Sequence, residues 1–352
     1  MAAHARVSLG TASRALNGKK GVDPALVRRV EQAVENLGYV RAPNARKGSH
    51  DGRPIITFIL GNRDFLHPVH ARLLQGAEAY SEEAGYVVVF KRFSYLACAP
   101  AASLTLPAVL RHHRIADCLI LAGTNYPNLV TATENARIPY VLYGNNLIGA
   151  TRIRTVDQVR SDDTRGAVDA VRYLIQLGHR NICFIGDTSL RWFEDRHRGY
   201  AFAMNEAGLE PIAQTVALST DNFRNGYSCA EAMLRRRPEI TAIFAAGDDV
   251  ATGVWEHLRQ IGRRVPDDLA LVGYGDVPDA INTIPPLTTV RIDYIELGRQ
   301  LARMAIEKMT SPGVAIPEVV LSTRLMLRGT TWPPHAGADS LQPQPLQIES
   351  AS

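Results

Sequence analysis

From Ile55 onward the chain alternates short apolar runs with stretches of helical spacing, and no other feature constrains the fold as strongly. The runs 55–60, 86–90, 118–122, 140–143, 181–185, 242–246 and 269–272 are apolar at successive positions, so they read as strands buried on both faces. Segments 70–84, 163–177, 196–207, 226–236, 249–261 and 294–309 read as the helices between them. Such alternation builds parallel sheets covered by helices, and a body of about 280 residues fits two such sheets better than one. The expected fold class is α/β, two doubly wound parallel-sheet subdomains with a ligand at the carboxyl ends of the strands, in the crevice between the halves.

A different texture precedes this body. Ser8 is positioned to cap a helix from Leu9 to Asn17, with Ala12, Ala15 and Leu16 on one face and Leu9, Gly10, Ser13, Arg14 and Asn17 on the other; Asn17-Gly18 then breaks it. Asp23 and Pro24 open a second helix in which Leu26, Val30, Ala33, Val34 and Leu37 recur at helical spacing until Gly38. Two such helices bury their stripes only if a third closes the core. It should precede Val7, where about five residues are available. Residues 39–54 are polar and rich in Gly and Pro, as a linker is, and the Pro-, Ser- and Gln-rich stretch after Gly329 is expected to be disordered.

The first 53 residues carry ten Lys/Arg against four Asp/Glu, net +6, which leaves −2 on the rest of a chain whose total is +4. A basic head on a nearly neutral body is the footprint of docking on phosphates, and equally that of a solvated basic face. With 46% hydrophobic residues and no apolar run near the length of a membrane span, no membrane partner is expected. The N-terminus lacks the apolar stretch of a signal peptide, so the expected location is cytoplasmic. Cys98, Cys118, Cys183 and Cys229 lie far apart in apolar or helical segments and read as small core residues. No disulfide framework, metal or cofactor is expected.

The run Val7-Ser8-Leu9-Gly10-Thr11-Ala12-Ser13-Arg14-Ala15-Leu16-Asn17, followed by Val22 and Leu37-Gly38-Tyr39, resembles the helix-turn-helix head of LacI/GalR regulators. The resemblance continues through Asp162, Gly166-Ala167, Leu177-Gly178-His179-Arg180, Arg196 with Gly199-Tyr200, Thr241 to Ala246, Val265-Pro266 and Pro285 to Val290, and it covers residues 2 to 334. It implies a periplasmic-binding-protein-like body controlled by a small-molecule effector, a carbohydrate or related metabolite, and a homodimer on a double-stranded DNA operator. The implied domains are a head at 1–39, a hinge linker at 40–54, an N-terminal effector subdomain at 55–152 with 294–318, a C-terminal one at 153–293 with 319–330, and a tail at 331–352.

By the same resemblance the helix after Ser8 enters the major groove. Leu9, Gly10 and Arg14 then face base edges, with Arg14 the direct reader and a helix-surface ion pair its alternative role. Thr11, Ser13 and Asn17 would hold phosphates or the turn, and Ser8, Tyr39 and Arg46 complete the DNA-binding set. In the effector cleft Arg196 would bond the ligand's polar end, Phe223 and Tyr294 would stack on it, and His70 would line the wall.

Three departures stand out. The first helix of the head is short: Met1 falls where the family's T-I-x-D-V-A segment has its valine, which points either to a start codon assigned too late or to a genuine loss. In the linker Gly48 replaces the family's groove-inserting leucine, so weaker DNA bending is expected. In the cleft Gly144, Gly247 and Gly275 stand where sugar-binding relatives place an aspartate, an asparagine and an aspartate. Either the ligand is bulkier or less hydroxylated than a hexose, with an anionic group for Arg196, or the cleft is degenerate.

A plain solute-binding protein would share the body but not the basic head, and an intracellular binding protein with an impaired head is the alternative. An enzyme finds little support. Asp248-Asp249 opening a helix read as cap and dipole partners, His112-His113 lack a metal-ligand companion, and no nucleophile with a base, phosphate loop or dinucleotide fingerprint occurs.

Overall fold

Strand β1 (Ile55–Gly61) is buried at every position, so helices must cover both its faces and strands must flank both its edges. In the computed structural model, which describes residues 4–5, 7–16, 23–36, 53–63, 67–107, 116–149, 155–219 and 221–332, they do. β1 pairs in parallel with β2 (Val87–Phe93) on one side and β3 (Cys118–Gly123) on the other, in the register Ile55 to Val87 and Ile56 to Cys118. β4 (Tyr140–Tyr143), β5 (Gln158–Ser161) and a later strand, Val319–Leu321, extend this sheet, all parallel. Helices α3 (Pro68–Glu83) and α4 (Pro127–Asn135) belong to this first lobe.

The second sheet repeats the scheme. Helices α5 (Asp163–Gln176), α6 (Arg191–Glu206), α7 (Asn222–Arg236), α8 (Asp248–Gln260) and the short α9 (Pro278–Ile281) alternate with β6 (Ile182–Ile185), β7 (Ile212–Gln214), β8 (Ala242–Ala245), β9 (Ala270–Gly275) and β10 (Thr288–Arg291). α10 (Tyr294–Thr310) returns to the first lobe, followed by β11 (Val319–Leu321). β12 (Arg324–Met326) closes the second sheet antiparallel to β10, so its strand order is β12-β10-β9-β8-β6-β7. Asp162, Asp221 and Asp293 cap α5, α7 and α10 by accepting the backbone N–H of Arg165, Arg224 and Glu296.

The two doubly wound parallel sheets match expectation apart from the antiparallel edge, but the crossings between lobes fall elsewhere. β5 lies in the first sheet, so that lobe runs to Ser161 rather than 152, and β11 lies there too, so the last crossing falls between Leu321 and Arg324 rather than at 318/319. The polar strand Gln158-Val159-Arg160-Ser161 carries too little apolar signal to be read as buried, yet Gln158, Val159 and Ser161 are covered. The expected tail also starts too early. Thr331 is buried, and the Trp332 carbonyl accepts a bond from His179 Nε2 at 2.8 Å. Cys118, Cys183 and Cys229 are core residues as read, whereas Cys98 is exposed on the loop after β2.

Residues 1–52 form a separate compact unit. Its described part holds α1 (Leu9–Leu16) and α2 (Pro24–Asn36), with Ala5, Ala12, Val30 and Ala33 buried together and Val7 and Ala15 packed on them. The linker at 40–52, the tail from 333 and His112-His113 lie outside the described residues.

Candidate functional site

The head presents its first helix through a serine cap. Ser8 Oγ accepts the Thr11 N–H at 3.1 Å and shares a 2.9 Å bond with Thr11 Oγ1, satisfying donors that the helix start leaves free. Ala12 turns into the core while Ser8 and Gly10 stay exposed on the opposite side, where the reading of the sequence placed the DNA contacts. Asn17, Tyr39 and Arg46, and the side chains of Leu9, Ser13 and Arg14, lie outside the described residues, as does Gly48.

In the body, a cleft of about 280 Å³ opens between the lobes at the carboxyl ends of the strands. The first lobe contributes Arg63 from the loop after β1, His67 and His70 from the start of α3, Tyr143 from β4 and Tyr294 from α10; the second contributes Trp192, Phe193 and Arg196 from α6, Asn222 from α7, Gly247, Asp248 and Asp249 at the start of α8, and Gly275 from β9. Of the residues anticipated from sequence, His70, Arg196, Gly247, Gly275 and Tyr294 converge here. Gly144 and Phe223 do not. Gly144 packs on β5, where a Cβ would meet Gln158 Oε1 at 2.7 Å, and Phe223 is exposed because the first turn of α7 points its neighbour Asn222 into the cleft instead.

Arg196 is committed before any ligand arrives. Its Nε and Nη2 bond Asp163 Oδ2 at 3.1 and 2.9 Å, its Nη1 donates to the Ala246 carbonyl at 2.5 Å, and its guanidinium lies 3.9 Å from the Tyr274 ring centroid. Buried with its charge matched, it offers a ligand spare N–H groups rather than a free cation, so the anionic group anticipated for it has no unpaired charge to meet. Burial raises the Asp163 carboxyl above its ordinary range, and the Arg196 charge beside it and the Ser161 hydroxyl oppose that rise.

Arg63 is the other arginine of the cleft. Nε donates to Thr124 Oγ1 at 2.5 Å, the guanidinium lies 4.9 Å from the Trp192 ring of the opposite lobe, and no carboxylate stands within ion-pair distance among the described residues. Desolvation lowers its pKa, opposed by the charge of Asp249. His70 is buried with both ring nitrogens unpartnered, and burial, then the neighbouring His67 and Arg63, push its pKa down to about 3, so the ring is neutral. His67 caps α3, its Nδ1 accepting the Val69 N–H at 3.3 Å.

The two aspartates do more than complement a helix dipole. Asp248 is buried, accepts Thr289 Oγ1 at 2.5 Å and the Val277 N–H at 2.9 Å, and is raised to about pH 6 chiefly by desolvation. Asp249 accepts Asn222 Nδ2 at 2.7 Å and the Val250 N–H at 2.9 Å. Glycine at 247 permits this, since a Cβ there would stand 2.6 Å from Asp249 Oδ1. Sequence reasoning missed Arg63, Trp192, Phe193, Asn222 and Asp249. The only local cue was Trp192-Phe193 one turn before Arg196 on the same helix. No group of three or more His, Cys, Asp or Glu is placed to hold a metal ion among the described residues.

A capped, basic helical head joined by sequence to a two-lobed body with a cleft at its strand ends defines a class: DNA-binding regulators built on a periplasmic-binding-protein-like receptor. Residues 1–43 match the model of bacterial regulatory proteins of the lacI family, and residues 171–331 that of the periplasmic binding protein-like domain. The HTH-type transcriptional regulator CelR of Thermobifida fusca is 30% identical over 335 residues, 93% of this chain and 96% of CelR. A structure of a transcriptional regulator CelR–cellobiose complex superposes with a TM-score of 0.67 at 27% identity, covering 94% of this chain and 98% of that one. The lac repressor dimer bound to operator and an anti-inducer shares the fold, with a TM-score of 0.67 at 22% identity over 94% and 97% of the two chains. The chain belongs to the LacI family and is a helix-turn-helix transcriptional regulator. Among the described residues no helix is long and apolar enough to cross a membrane.

Proposed function

We propose that this regulator is a cytoplasmic, homodimeric repressor whose operator affinity is set by a small molecule held in the cleft between its lobes. One observation carries the reading: His70 is buried facing the cleft with both ring nitrogens unpartnered, which is costly unless something else satisfies them, and the half-buried Arg63 near it carries further N–H groups into the same cleft. A ligand gripping both lobes shifts their equilibrium and, through the linker, the two heads, changing operator affinity by about 1–3 kcal/mol. Dimerisation follows from the few base contacts one head makes, and the lac repressor on its operator is a dimer. His70, Arg196, Gly247, Gly275 and Tyr294 line the effector site, and Ser8, Leu9, Gly10, Thr11, Ser13, Arg14, Asn17, Tyr39 and Arg46 form the DNA-contacting set.

The test is fluorescence anisotropy with duplexes tiled across the DNA flanking the gene, at low salt. The expected result is one duplex bound well above its neighbours, with an affinity that changes when a ligand enters the cleft. Equal binding to every duplex would remove the operator, and with it the repressor.

A further inference from the structure

The cleft is polarised. Its first-lobe wall carries one net positive charge, Arg63, because burial keeps His67 and His70 neutral. Its second-lobe wall is negative: Arg196 is cancelled by Asp163, while Asp249 meets only an amide and a backbone N–H, and Asp248 lies behind it beside Gly275. Asp249 has no cation within ion-pair distance among the described residues, as Arg63 has no carboxylate. Two half-buried, opposite charges that act on each other across one cavity without forming an ion pair are only partly compensated, and a ligand carrying the complementary pair supplies both ion pairs at once. A neutral polyol would hydrogen-bond to them but bring a counter-charge to neither. Gly247 and Gly275 line the cleft without side chains to add further polar contacts.

Resting on the effector reading above, we propose that the cleft takes a zwitterionic, amino-acid-like small molecule, its carboxylate on Arg63 and its ammonium on Asp249, with His70 donating or accepting one further bond. The non-polar part of such a ligand lies against Trp192, Phe193 and Tyr294.

The test uses the full chain in thermal-shift screening followed by calorimetry. The panel holds α-, β- and γ-amino acids and betaines, the matched acids lacking the amine, the matched amines lacking the carboxylate, and the neutral sugars glucose, ribose and cellobiose. At least one zwitterion is expected to bind about tenfold or more tighter than either of its truncated analogues. Arg63→Gln should erase its advantage over the amine, and Asp249→Asn its advantage over the acid, with unliganded thermal unfolding of both variants reporting that they fold. A neutral sugar bound tighter than every zwitterion overturns the charge assignment and leaves the effector cleft standing. Variants that weaken zwitterion and truncated analogues alike also overturn it. Binding of no zwitterion in the panel overturns this proposal, while the operator titrations above decide the effector reading on their own.

Discussion

At Arg196 a single side chain neutralises Asp163, bonds the Ala246 carbonyl and covers Tyr274. Replacing it by Met keeps most of the volume but strands a buried carboxylate, so Arg196→Met should cost about 3–5 kcal/mol. Urea unfolding at pH 7 checks this, and a loss below about 1 kcal/mol would mean that Asp163 is not held as an ion. His70 gives a pH signature with a definite sign. Its ring stays neutral in the native state down to about pH 3, while in the unfolded chain it takes up a proton near pH 6.5. Stability is therefore lost as pH falls from 6.5 toward 3, and none of this loss occurs above that window. At pH 5 the effect amounts to about 2 kcal/mol. Asp248 has the opposite slope, since its raised pKa of about 6 adds stability below 3.8 that fades as pH rises. The comparison must therefore be made against His70→Gln. The stability margin of the wild type over this variant should shrink by about 2 kcal/mol between pH 7 and pH 5, and a constant margin would show that the ring is not buried neutral.

Helices were the most legible elements. The periodic segments 163–177 and 294–309 match α5 and α10 to within one residue, because amphipathic stripes and Asp caps are written locally. How closely the helices approach is not local. α3 and α10 pack through small residues on both sides: a Cβ on Gly76 would stand 1.9 Å from the Ile295 carbonyl oxygen, and one on Gly298 would stand 2.0 Å from that of Leu73. Gly76→Ala, although favourable to an isolated helix, should destabilise the body by about 1–3 kcal/mol by forcing the pair apart. Guanidinium unfolding would reveal it, and an unchanged or raised midpoint would contradict the close packing. The strands that escaped notice, β5, β7, β10, β11 and β12, are three or four residues long, and most mix polar with apolar residues or sit at sheet edges. Their pairing comes from the neighbouring strand, not from their own pattern.

For the whole molecule, the charge imbalance between head and body sets how DNA binding responds to salt. With +6 on the first 53 residues and −2 on the rest, counterion release belongs to the heads, and a pair making six or more phosphate contacts should lose about a thousandfold in affinity between 50 and 200 mM salt. Anisotropy titrations across that range measure the slope, and a nearly flat one would exclude phosphate docking by this head. Local chemistry, the capped helices, the strands buried on both faces and the basic head, was decided by the sequence alone, because burial period, caps and charge are properties of neighbouring residues. The cleft's electrostatics were decided only by tertiary structure. Arg196 and Asp163 lie 33 residues apart and Asp248 and Thr289 41, and Arg63 meets Trp192 only across the two lobes, so which of these charges is cancelled and which is left facing the cavity depends on distances that exist only in the folded chain.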